Sequence, residues 1–295
     1  MLHKRMKPDW IKVQLGNNKS FKDVKQNLRS NRLHTVCEEA KCPNVHECWG
    51  RRTATFMILG DVCTRSCRFC AVKTGRPFVY DEEEPARVAE SVRSMGLQHV
   101  VITSVNRDEL PDGGSAIWAA VIRKVREVNP GTSIEVLTPD FKGIWGQLKT
   151  VLDAGPDVYS HNLETIPSLY KDVRPQAKYH RSLRVFKNAR NCGFLPKTGI
   201  MVGLGESFGE IVELMKNVAD TSVDIFTVGQ YLQPTPSHLP VERYVHPDEF
   251  KEYKKVGEEL GIGHVEAGPL VRSSYHAESQ FARLRNRWQN QASSG

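Results

Sequence analysis

From residue 55 onward, six short β-branched or apolar runs alternate with amphipathic segments of helical period, and this alternation restricts the fold more than any other feature. The runs lie at 55–62, 99–105, 133–138, 158–163, 198–204 and 224–232. Between and after them, the segments 85–95, 116–128, 145–154, 182–191, 210–220 and 248–260 repeat apolar residues three and four apart. Strands that each hand over to a helix do not pair as hairpins; they pair in parallel, with the helices crossing back over one face. The expected fold is α/β, a partial (β/α)6 TIM-like barrel with N-terminal and C-terminal extensions, and Gly96, Gly155 and Gly193 are expected to cap three helices. A seventh apolar piece, 264–270, reads as a terminal strand or as a connector.

The flanks read differently. Residues 1–54 are polar and basic with little periodicity and form an N-terminal extension, 55–270 form the barrel, and 271–295 form a polar tail with a frayed tip. A chain of 295 residues has room for one such barrel and both extensions. No apolar run nears the roughly 20 residues of a membrane span, and the N-terminus lacks a signal-peptide core, so a cytoplasmic protein without a membrane partner is expected. The net charge of +7, with basic stretches at 4–12 and at Arg283, Arg285 and Arg287, permits an acidic protein partner as readily as nucleic acid.

Six of the seven cysteines crowd between Cys37 and Cys70, and Cys192 stands alone. In a reducing compartment such clustering indicates metal ligands or redox groups rather than disulfides. Cys63, Cys67 and Cys70 follow the first strand, where a parallel barrel carries its working face. Thiolate is the usual ligand of iron-sulfur clusters, and three thiolates leave one iron open for a substrate or cofactor. The competing reading is a zinc or redox loop completed by His46 or His99. Cys192, ahead of Gly193, reads as a small buried apolar residue at a helix end.

The CxxxCxxC spacing, with Phe69 before the third cysteine, resembles the signature of radical S-adenosylmethionine enzymes. That resemblance implies that the cofactor's amino and carboxylate groups occupy the open iron, and that an electron from the cluster cleaves its sulfonium to a 5′-deoxyadenosyl radical. Segments similar to that family's cofactor cradle are Gly199-Ile-Met-Val-Gly-Leu-Gly-Glu206, with Gly203 and Glu206 as contacts, and Asp112-Gly113-Gly114. Asn162 and Glu164, at the end of the fourth strand, alternate onto one side and would face the same site.

Cys37, Cys42 and Cys48 form a second triad, CxxxxCxxxxxC, which implies a second cluster; a zinc knuckle using His46 competes. Together with Arg272-Ser273-Ser274-Tyr275, this pair of triads resembles the sulfur-inserting members of the family that act on a carrier-bound octanoyl chain, and the match runs along the whole chain. The resemblance implies two [4Fe-4S] clusters and S-adenosylmethionine as cofactors, and Ser274, ahead of Ser273, as fourth ligand of the auxiliary cluster. It implies a sulfurtransferase that places sulfur at C6 and C8 of octanoyl-lysine, taking it from that auxiliary cluster. The implied partners are octanoylated lipoyl carrier domains (the acyltransferase component of 2-oxoacid dehydrogenases or the glycine cleavage H protein), an electron donor such as flavodoxin or ferredoxin, and a cluster-repair carrier, with no nucleic acid. The alternative is a biotin-forming or transfer-RNA-methylthiolating relative, which the second triad with Ser274 disfavours.

Overall fold

The structure is a computed structural model that describes residues 7–13, 18–77 and 80–282; Arg283, Arg285, Arg287 and the expected frayed tip lie outside the described residues. Its main sheet has eight strands in the order β1 (His34–Thr35), β2 (Thr55–Ile58), β5 (His99–Ser104), β6 (Ser133–Leu137), β7 (Val158–Ser160), β8 (Leu195–Val202), β9 (Ile225–Gln230) and β10 (His264–Gly268). All neighbours pair in parallel except β1, which runs antiparallel to β2 with His34 opposite Met57. A separate two-stranded ladder joins β3 (Val62–Cys63) to β4 (Lys73–Thr74).

The six expected strands are present, and 264–270 resolves as the strand β10, in register with β9 from His264 and Ile225 to Gly268 and Gly229. The first strand is shorter than expected because Leu59 (φ 68) and Gly60 (φ 91) turn the chain, so that Val62 and Cys63 start the β3–β4 ladder instead. The fourth also ends early, at Ser160: the Thr198 hydroxyl accepts the Leu163 N–H, and Glu164 (φ 66) rejoins β8 opposite Ile200.

The helices between strands follow their caps. Glu84–Met95 ends on left-handed Gly96 (φ 64), and Phe208–Ala219 starts from a capping box between Ser207 and Glu210. Their apolar faces pack on the sheet around the fully buried Trp118, Phe56, Phe186 and Phe226. Near the N-terminal ends of the strands, the barrel interior holds a buried ion pair, Lys197 Nζ to Glu135 at 3.0 Å, with His99 Nε2 3.6 Å from Glu135. No described helix is long and apolar enough to cross a membrane.

The strand order is linear, so among the described residues β1 and β10 leave the barrel open along one seam. The two extensions fill it. Asn44 Nδ2 donates to the Leu270 carbonyl at 2.7 Å, Tyr275 Oη donates to Glu47 at 3.0 Å, and Arg51 meets His276 at 3.0 Å. The tail then descends until Phe281 stacks on His99, ring centroids 5.8 Å apart.

Candidate active site

The first triad is held by the ladder that replaces the end of the first strand. Cys63 closes it, with the Gly75 N–H donating to the Cys63 carbonyl at 2.9 Å, and the enclosed loop carries Cys67 and Cys70. The backbone N–H of Asn106 points at Cys63 Sγ at 3.3 Å and that of Arg65 at 3.5 Å, which fixes the position of that sulfur. The loop is tied outward as well: His238 Nε2 meets the Cys70 carbonyl at 3.0 Å, and the Arg68 N–H donates to the Val173 carbonyl.

All three thiols line one cavity of ≈ 550 Å³ at the C-terminal ends of the strands, and Cys42, Asn162, Glu164, Ser273 and Ser274 line it too. Asn162 Nδ2 donates to Glu164 at 3.1 Å and to Ser273 Oγ at 3.0 Å, so the Asn162–Glu164 pair does face the site. The left-handed turn at Glu164 brings them together, in place of the strand alternation expected there.

The second triad sits in the seam. Cys37, Cys42 and Cys48 line an adjoining cavity with Arg272 and Ser274; Cys42, Arg272 and Ser274 border both cavities. Ser273 is engaged by Asn162, whereas the Ser274 hydroxyl makes no hydrogen bond among the described residues and faces the three thiols. His46 is stacked on Phe21 at 4.7 Å, and His99 is bound to Ser133, so neither imidazole completes the triad it was weighed for.

Other expected contacts lie elsewhere. Gly113 (φ 61) and Gly114 (φ 84) form the turn into helix Ser115–Val128, where Asp112 caps the Gly114 and Ala116 N–H groups, and neither lines the cavity. A Cβ on Gly114 would lie 2.5 Å from Leu59 Cδ1, so close packing accounts for that glycine. Glu206 folds back on its own loop, accepting from Gly203 N at 2.5 Å and Leu204 N at 2.9 Å; the cavity takes Gly199, Ile200 and Met201 from that segment instead. Cys192 is exposed rather than buried, because it caps helix Tyr179–Asn191 just before Gly193 (φ 84) turns the chain away.

Three arginines, Arg65, Arg174 and Arg272, complete the walls. Arg65, 4 % exposed, donates to Asp108 at 2.6 Å and to Asp140 at 2.6 Å, and Arg181 adds a second guanidinium contact to Asp140 at 3.1 Å. This pairing holds the Asp140 carboxyl well below the usual range. Removing one partner of a buried pair costs about 3 kcal/mol or more. Arg65→Leu is accordingly expected to lower the urea midpoint clearly, in a parallel shift without change of slope.

Arg174 Nη1 donates to the carbonyls of Asn162 at 2.6 Å and Leu163 at 3.1 Å, and its charge offsets part of the burial that raises the Cys67 thiol. Arg272 is held by the Val271 carbonyl at 2.6 Å and feels both Cys42 and Glu164. Beside them, His161 bridges the Thr138 carbonyl and Ser182 Oγ, and burial lowers its pKa to about 4, so it is neutral at pH 7.

Burial, reinforced by the neighbouring thiols, raises Cys37 to about 11 and Cys48 to about 12; burial raises Cys70 to about 12. Below pH 9 these groups are protonated in folded and unfolded chains alike. Between 9 and 12 only the unfolded chain releases the protons, so the cluster-free protein is expected to lose stability as pH rises through that window. Thermal melts at pH 8 and pH 10.5 read this directly, and an unchanged melting temperature would contradict it.

The donor sets suit iron-sulfur clusters. Among the described residues no three His, Cys, Asp or Glu converge on a point that could hold a single ion, as a zinc site requires. Within each triad, however, the thiols lie close together, Cys37 and Cys42 near enough to raise Cys48, and Cys63 and Cys67 near enough to raise Cys70, a grouping that suits ligands of different irons in one cluster. On the wall of the larger cavity, Ser104 Oγ, Asn106 Oδ1, Asn162 Oδ1 and Arg174 Nε are buried without a partner, so a polar ligand would relieve a real desolvation cost.

Comparison with known proteins follows the same lines. Solved structures that share the fold include Streptococcus suis SuiB bound to S-adenosylmethionine (TM-score 0.55, 13% identity, 73% of this chain and 50% of that one) and methylornithine synthase (TM-score 0.54, 13% identity, 89% and 82%). Residues 57–218 match the Radical SAM superfamily, and residues 2–42 match the N-terminal domain of lipoyl synthase of that family. The lipoyl synthase of Rubrobacter xylanophilus is 59% identical over 93% of this chain and 86% of its own. That of Geobacillus thermodenitrificans is 56% identical over 93% of both. With both thiol triads and the serine-bearing tail gathered around adjoining cavities, the chain belongs to the lipoyl synthase family of radical S-adenosylmethionine enzymes.

Proposed function

We propose that Cys63, Cys67 and Cys70 hold a [4Fe-4S] cluster whose open iron takes S-adenosylmethionine, while Cys37, Cys42, Cys48 and Ser274 hold the cluster consumed as sulfur source. The enzyme is a sulfurtransferase that builds the lipoyl group by placing two sulfur atoms, at C6 and C8, on a protein-bound octanoyl chain. Bound at these sites, the clusters and S-adenosylmethionine supply one-electron, hydrogen-abstracting and sulfur-donating chemistry.

The observation that carries this reading is the shared wall: Cys42 and Ser274 border both the seam and the cavity of Cys63, Cys67 and Cys70. Sulfur donor and reacting carbon therefore need no passage through solvent. The chain's own groups have defined tasks. Asn106 and Arg65 steady the Cys63 sulfur with their N–H groups, and Arg174 and Arg272 place positive charge beside anionic ligands. Phe69, Ile200, Met201 and Leu232 give the cavity apolar walls for an alkyl chain. Ser274 offers a harder oxygen where a fourth thiolate would bind more durably, which suits a cluster meant to be opened.

In this reading 1–54 carries the auxiliary site, 55–270 the radical chemistry and 271–295 the serine. The partners are an octanoylated carrier domain, a flavodoxin- or ferredoxin-type donor and a cluster-repair carrier, working in the cytoplasm. Anaerobic reconstitution should load about eight irons per chain. Incubation with octanoyl-lysine peptide, reductant and S-adenosylmethionine should then give 5′-deoxyadenosine and a dithiolated peptide; binding of zinc, or radical formation without sulfur transfer, would contradict the assignment.

A further inference from the structure

The larger cavity opens where the strands end, and a second groove borders the same end of the barrel. Loop 138–145 joins the two. Thr138 and Pro139 line the cavity, Asp140 pairs with Arg65 on its wall, and Ile144 and Trp145 stand out at the far end, 48% and 39% exposed. Opposite them, helix Tyr179–Asn191 leads into β8, so its first turns lie at the same end of the barrel as the loop. Arg181, Arg184 and Asn188, three and four residues apart, present one face of that helix to a groove of ≈ 370 Å³ shared with Ile144 and Trp145. Gly143 (φ 78) permits the approach, since a Cβ there would lie 3.2 Å from Arg181 Cγ.

The charge of this groove is one-sided. Its carboxylate, Asp140, is buried and taken by Arg65 and Arg181, whereas Arg184 is exposed and forms no ion pair among the described residues. An exposed tryptophan and isoleucine beside an uncommitted guanidinium are the composition of a protein-binding patch, in which aromatic and arginine anchors dominate. Too few cations gather here to follow a phosphate backbone.

We propose that this groove docks an acidic, octanoyl-bearing carrier domain, with Trp145 and Ile144 as the apolar anchor and Arg184 as the charged one, so that the acylated lysine enters the adjoining cavity. The proposal rests on the sulfur-insertion function given above. Trp145 and Arg184 touch neither thiol triad's cavity, so their replacement should spare the chemistry.

The test uses the reconstituted full-length enzyme under anaerobic conditions, comparing Trp145→Ala and Arg184→Glu with the parent. Affinity for an octanoylated carrier domain is measured by titration, and single-turnover yield is measured with a short octanoyl-lysine peptide. Each variant should weaken carrier binding ~10-fold, and Arg184→Glu should also flatten its salt dependence, while peptide turnover is unchanged. Unchanged carrier affinity overturns the proposal, as does an equal loss with carrier and peptide, or a change in self-association that assigns the groove to a second copy. Failure of the parent to dithiolate the peptide would instead overturn the functional reading, and is seen without either variant.

Discussion

Replacing Cys70 by alanine is expected to abolish reductive cleavage of S-adenosylmethionine, and Cys63→Ala or Cys67→Ala to do the same. The three thiols line one wall of the cavity, and the β3–β4 ladder fixes their loop. In the proposed assignment, loss of one removes a cluster ligand, and the nearby His238 is already bonded to the Cys70 carbonyl. The expected drop in 5′-deoxyadenosine formation is ~10³-fold or more, above about 4 kcal/mol of barrier. Cys37→Ala, Cys42→Ala and Cys48→Ala lie in the seam and should keep cleavage within about tenfold while dithiolated product disappears. Loss of cleavage in all six variants would contradict the separation of tasks.

Gly229→Val separates the same tasks from the other side. Gly229 lies near the end of β9, and a Cβ there would sit 2.0 Å from the Val271 carbonyl oxygen and 3.0 Å from an Arg272 guanidinium nitrogen. The arginine tip could swing aside, but the 2.0 Å contact cannot be relieved by a side-chain rotation, because its atom is backbone. The tail must lift, weakening the Gln230 N–H bond to Pro269 and carrying Arg272 and Ser274 away from Cys42. Sulfur transfer is expected to fall ~100-fold or more, with cleavage of S-adenosylmethionine retained. Iron analysis gives a second readout: the variant should lose auxiliary-cluster iron faster than the parent under chelation. A variant that retains both product yield and auxiliary iron would show that the tail does not need this seat.

What could be read from the sequence, and what could not, divides along physical lines. Strands such as β5 and β6 announce themselves through β-branched runs, because both faces are buried. Strand β1 is two residues long and owes its existence to pairing with β2, so no local pattern marks it. The grouping of the cysteines was legible from spacing, since thiols a few positions apart on one loop are brought to one cavity when the loop folds. Glycines are ambiguous by nature: Gly113 and Gly114 make a helix-entry turn, Gly114 against Leu59, and Gly203 donates to Glu206 within its own loop. Arg65 and Arg174 were missed, and Arg272 was named only as part of a motif, because a guanidinium gains its role only from the carboxylates, carbonyls and thiols that tertiary packing sets around it. The division between Ser273 and Ser274 also needed the fold, which gives the first to Asn162 and turns the second toward the seam.

The central claim is that two incomplete thiol cages share one wall and do different work. Isotope-labelled sulfide, reconstituted into the enzyme and chased with octanoyl-lysine peptide, tests it most directly. The account predicts two labelled sulfur atoms in each product molecule from the parent, and none from Cys48→Ala even while 5′-deoxyadenosine accumulates. Unlabelled dithiolated product from the parent, or labelled product from Cys48→Ala, would contradict it.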